Sequence, residues 1–123
     1  MNPTVVAATP TSHWLAASGA SLAAVAVALS AYAAHGVQGD AQSRLQTAAL
    51  FAFGHGIALA ALAPQAKRRL GLVALVGLLS GVLLFSGSLI GSHVLGESVG
   101  LAPFGGSLLI LAWLLYAADA MRA

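Results

Sequence analysis

Cysteine is absent from this chain of 123 residues. That excludes disulfides and thiolate metal centres and leaves the redox compartment open. Charge is nearly as scarce: five basic and three acidic residues make up 7% of the sequence, where soluble domains carry about 25%. A soluble fold with so few polar groups would be unable to cover its surface, so the apolar surplus has to meet lipid. The net charge of +2 is spread without a basic face or an aromatic-interleaved patch, which argues against nucleic acid as a partner. There is no linker, no low-complexity tract and no composition shift that would mark a second domain.

What is present is apolar: 59% of the residues are hydrophobic, and the mean hydropathy is +0.93. Four apolar runs predict an all-α fold, an integral membrane bundle of four antiparallel transmembrane helices. It forms a single membrane domain over residues 1–123, with helices over about 13–35, 41–63, 70–92 and 103–119. The run from His13 to Ala34 is about 22 residues, enough to cross about 30 Å of hydrocarbon at about 1.5 Å per residue. Trp14 and Tyr32 sit near its ends, as interfacial anchors do. It lacks a basic leader and is read as a span rather than a signal peptide. Asp40 is a suitable N-cap for the second helix, and Pro64 stops it. Lys67-Arg68-Arg69, the one charge cluster, precedes the third run. Pro103 suits the first turn of the fourth helix.

The third run has a small-residue face. Gly77, Ser80, Gly81, Gly87, Ser88 and Gly91 recur at three- and four-residue spacing, with Gly-x-x-x-Gly at Gly77/Gly81 and again at Gly87/Gly91. Such faces let membrane helices approach closely, and Gly105-Gly106 should do the same at the start of helix 4. The expected core is rich in Ala, Gly and Ser, with Leu, Val and Phe toward lipid.

His55 is the one ionisable side chain in the middle of a span, flanked by Gly54 and Gly56. An intramembrane histidine is costly and normally finds a partner inside the bundle. Its helical neighbours Phe51, Ala52, Ala58 and Leu59 offer no polar side chain, so the partner must come from another helix. By depth, Ser80 is expected first, Ser88 second and Ser21 third.

These residues bear on four kinds of function. Hydrolytic catalysis needs a nucleophile, a base and an orienting group together. The acidic residues Asp40, Glu97 and Asp119 all fall at membrane edges, so no enzyme is expected and no catalytic residue is assigned. Metal or haem binding has only His35 and His93 at a shared depth, weak candidates that are read instead as helix-end hydrogen bonders. No metal and no cofactor is expected. Small-solute or proton transport would use His55 with the helix 3 serines, and is the alternative to a non-catalytic structural, assembly or partner-binding protein. The last is preferred, with membrane lipids, a second copy or another membrane protein as partners. The candidate polar site is therefore His55, Ser80 and Ser88.

Lys67, Arg68, Arg69 and Arg122 share one side of the predicted topology, and Arg44 alone lies on the other. The positive-inside rule then places both termini in the cytoplasm.

Four blocks carry a family resemblance. Ser30-Ala31-Tyr32-Ala33-Ala34-His35-Gly36 resembles a Gly-Ala-Phe-Gly-Ala-His-Gly block at the end of a first helix. Thr47-Ala48-Ala49 with His55-Gly56-Ile57-Ala58-Leu59, then Phe85-Ser86-Gly87-Ser88-Leu89, then Pro103-Phe104-Gly105-Gly106 with Trp113, follow in the same order. Together they resemble the small bacterial inner-membrane family of unknown function that includes the YgdD-like proteins. Ser30, Ala33 and Ala112 stand where that family has glycine. The resemblance implies four helices in a bacterial inner membrane and no established activity.

Overall fold

The computed structural model describes residues 9–122. Four helices account for most of them: α1 (Pro10–Gly36), α2 (Gly39–Leu62), α3 (Arg69–Leu95) and α4 (Ala102–Met121). Each is long and apolar enough to cross a membrane, and short connections make successive helices antiparallel. The polar stretch predicted before the first span falls mostly outside the described residues.

Local chemistry explains where the helices depart from the hydropathy pattern. α1 starts three residues before the apolar run because Thr9 and Ser12 form a reciprocal cap. The Ser12 amide donates to Thr9 Oγ1 at 3.2 Å and the Thr9 amide to Ser12 Oγ at 3.1 Å. Asp40 is not the cap of α2; the helix begins two residues earlier than expected, after Gln38, and Asp40 lies in its first turn, where a carboxylate favours the helix dipole. α2 ends in a 3₁₀ turn, Ala63–Gln65, around Pro64. α3 runs past Ser92 to Leu95. It stops at Gly96, whose φ of +72° is the left-handed conformation glycine adopts most readily.

α1 packs on α2, α4 packs on α3, and the two hairpins meet through α2 and α3. α2 and α3 are thus the inner pair and α1 and α4 the outer one. Each hairpin is closed by glycine. A Cβ on Gly19 would lie 2.5 Å from the Gly56 carbonyl oxygen, and one on Gly56 2.6 Å from the Gly19 carbonyl oxygen, so the α1 and α2 backbones touch there. In the other hairpin a Cβ on Gly105 would collide with the Phe85 amide nitrogen. One on Gly81 would come within 2.9 Å of Leu109. Gly77 rests on Ala112, Gly91 near Val99 and Gly106 near the Phe85 ring.

Gly87 faces open space and takes no part in packing, contrary to the sequence expectation. The second Gly-x-x-x-Gly is therefore only half used. Gly54 is likewise open, while its neighbour Gly56 makes the close approach.

The α2/α3 seam has another character. Leu45 and Leu59 of α2 and Leu75, Leu78 and Val82 of α3 are the largest fully buried side chains among the described residues, so the core is not built of small residues alone. Phe51 and Phe85 pack with ring centroids 4.4 Å apart. Ser86 Oγ donates to the Ala48 carbonyl at 2.9 Å, a buried bond from α3 to α2. Ser21, Ser92 and Ser107 instead donate to carbonyls four residues back in their own helices, as membrane serines commonly do.

These contacts separate two glycines of the same helix. Gly81→Leu should destabilise the protein by about 1–3 kcal/mol, the range for overpacked cores, whereas Gly87→Leu should leave it within about 0.5 kcal/mol of the parent. Thermal unfolding in detergent measures both; equal effects would mean that α4 does not seat on Gly81.

Candidate functional site

The midplane histidine is held by two bonds, and neither uses a serine. His55 Nδ1 lies 2.8 Å from the Phe51 carbonyl, one turn back in α2. Trp113 Nε1 on α4 lies 3.1 Å from His55 Nε2. An indole N–H only donates and a carbonyl only accepts, so the neutral tautomer with its proton on Nδ1 satisfies both. The Phe51 ring stacks on the imidazole at 5.8 Å between centroids. Trp113 in turn meets Tyr116 edge-on at 6.1 Å. The shallow groove around the pair is lined by Leu50, Phe51, Gly54, His55 and Trp113, none of which offers a second ionisable group.

Ser80 and Ser88 therefore do not join His55. Ser80 is exposed; Ser88 is buried and belongs to a separate cavity at the far end of α3. Ser21 bonds within its own helix. The rotation of α3 about its axis points Ser80 outward. Trp113 carried a usable signal: it owns the one obligate donor side chain within helix 4. His55 stands seven residues from the Leu62 end of α2, and Trp113 eight from the Met121 end of α4, so they share a depth.

The His35/His93 end is more polar. His35 Nδ1 lies 3.0 Å from the Ala31 carbonyl in its own helix. His93 Nε2 instead meets the Tyr32 hydroxyl at 3.3 Å, tying α3 to α1. The two histidines are thus committed to different partners. Among the described residues no group of three or more His, Asp or Glu converges as a metal site requires.

Beside His93 lies a cavity of about 500 Å³, lined among others by Arg44 of α2, Ser88 and Ser92 of α3, and Glu97 of the following loop. Two serines organise that loop. Ser92 Oγ accepts the Val99 amide at 3.0 Å, and Ser88 Oγ accepts the Leu101 amide at 3.2 Å.

At the opposite end Arg68, just before α3, donates to the Asp119 carbonyl at 3.0 Å and stands 3.9 Å from its carboxylate. Gly71 makes room, because a Cβ there would lie 2.8 Å from Asp119 Oδ2. This contact fastens the start of α3 to the end of α4.

A double-mutant cycle tests the midplane bond. His55→Leu and Trp113→Phe should couple by about 0.5–1.5 kcal/mol in detergent unfolding, the range for hydrogen bonds between membrane helices. Strictly additive effects would mean that the bond is not made.

The family described as a protein of unknown function (DUF423) matches residues 29–106. That range covers the end of α1, all of α2 and α3, and the start of α4. Among the curated proteins and the solved structures, nothing matches the chain.

Proposed function

The chain belongs to this family of unknown function, and from its geometry we propose that it is a non-catalytic membrane protein that acts by binding a partner, either lipid or another protein. One observation carries the reading: both ring nitrogens of His55 are engaged, by Phe51 and Trp113, in an apolar setting. A proton or solute pathway needs polar groups converging at several depths. Here Ser21, Ser86, Ser92 and Ser107 donate to backbone carbonyls of their own or the adjacent helix, and Ser80 faces outward.

Catalysis and a metal or haem are disfavoured on similar grounds. Asp40, Glu97 and Asp119 sit at or near helix ends, and none lines the groove at His55. His35 and His93 are each held by a separate partner. The resemblance to YgdD-like proteins and the charge distribution favour a bacterial inner membrane with both termini in the cytoplasm. The Arg68/Asp119 end is then inner and the His93 end outer.

Two measurements test this. Proteoliposomes loaded with a pH-sensitive dye should leak protons no faster with this protein than with its His55→Leu variant. A His55-dependent flux would establish transport instead. Because the chain has no cysteine, single thiols report topology cleanly. Ser98→Cys should react with an impermeant maleimide in intact cells and Gln65→Cys only after permeabilisation; the reverse pattern would invert the orientation.

A further inference from the structure

The cavity at the His93 end holds one cation and one anion that do not neutralise each other. Arg44 and Glu97 both line it and both are exposed. Among the described residues the ion pair formed is Arg68 with Asp119, not Arg44 with Glu97. Two charges facing a common space without pairing leave each available to a ligand.

The other donors divide the same way. Ser92 is spent: its hydroxyl donates to the Ser88 carbonyl at 2.8 Å and accepts the Val99 amide. Ser88 is only half spent. It is 4% exposed and its oxygen accepts the Leu101 amide, but its own proton meets no acceptor among the described residues. The start of α4 borders the cavity at Ala102 and Pro103, and no side chain caps that helix. Arg44, the Ser88 hydroxyl and the uncapped turn all favour negative charge. Glu97 favours positive charge. A simple anion would face the Glu97 carboxylate, and a simple cation would face Arg44. A ligand carrying both charges meets both.

Depth narrows the class. The cavity opens where α3 ends and α4 begins, with Arg44 in the second turn of α2. That is the level of the phospholipid headgroups for helices of this length. Resting on the binding role above, we propose that this cavity holds a phosphoethanolamine group, with its phosphate toward Arg44 and Ser88 and its ammonium toward Glu97. The bilayer is the nearest source, as the headgroup of a phospholipid; the free compound has the same chemistry.

Native mass spectrometry of the full chain in detergent, with phosphatidylethanolamine, phosphatidylcholine and phosphatidylglycerol offered in turn, tests the assignment. Ethanolamine lipid should be retained about tenfold better than either other class, since a charge-assisted hydrogen bond to Glu97 is worth roughly that factor. Arg44→Gln should lower its retention about tenfold. Glu97→Gln should bring ethanolamine lipid down to the choline level while leaving choline lipid unchanged, a readout that simple loss of structure would not give. Displacement of the lipid by free phosphoethanolamine would support the same chemistry from a soluble source; failure to displace it would support the lipid as the source. Equal retention of all three lipids, a preference for phosphatidylglycerol, or equal displacement by glycine would overturn the proposal. A His55-dependent proton flux would defeat the binding role without altering lipid preference, so the two failures are distinguishable.

Discussion

The structure depends on two places where backbones touch. Lipid chains are as apolar as leucine, so helices in a membrane gain little by hiding apolar surface from their surroundings. They gain by close van der Waals contact, and by hydrogen bonds where polar groups exist. Gly19 against Gly56, and Gly105 against Gly81 and Phe85, supply that contact for α1 on α2 and for α4 on α3. The outer helices have no other broad seat, because each packs chiefly on one neighbour. The inner pair differs: α2 and α3 supply the largest fully buried side chains, and the Ser86 to Ala48 bond joins them. A serine hydroxyl that leaves its own helix for a carbonyl of another fixes rotation as well as distance.

Three longer-range polar contacts add to the packing. Arg68 to Asp119 joins α3 and α4 at one end, His55 to Trp113 joins α2 and α4 in the middle, and Tyr32 to His93 joins α1 and α3 at the other end. The last two connect helices that are not sequential neighbours. Individually such bonds average about 0.6 kcal/mol, less than an overpacked glycine costs. Their effect is directional: each sets the register of a flanking helix against a central one that glycine contact alone would let slide.

Span number, order and approximate limits were legible in the sequence because they follow from apolar run length and from Pro64 and Pro103; the three further residues of α3, up to Gly96, were not. The small-residue face of α3 was legible as a pattern, and Gly77, Gly81 and Gly91 do meet neighbours. Gly87 belongs to the same pattern and meets nothing, since a periodic stripe is wider than the strip a single partner helix covers. The Gly19 seat carried no such stripe and was missed. His55's need for a partner was evident, yet Ser80 was the wrong choice. Depth along a helix can be counted from a sequence, but the rotation that turns Ser80 outward and admits Trp113 is set by packing.

The distribution of polarity bears on what the protein is able to recognise. Within the spans most polar side chains bond to backbone or to one another, as His55 does with Trp113 and Ser86 with Ala48, because unsatisfied groups there are costly. A site for a charged ligand can persist only at the helix ends, where water and headgroups lower the penalty of leaving a group unpaired. The two ends differ in this respect. At one, Arg68 is already engaged by Asp119 beside Gly71. At the other, Arg44 and Glu97 border a cavity whose loop is tied to α3 by Ser88 and Ser92. Gly96 and Gly100 take positive φ in that loop, which allows it to double back so that its amides reach those serines. The chain thus holds a space between opposite charges where the closed end brings its own together. On the binding role proposed above, that asymmetry favours the His93 end for recognition, while the Arg68–Asp119 contact joins α3 to α4 at the other.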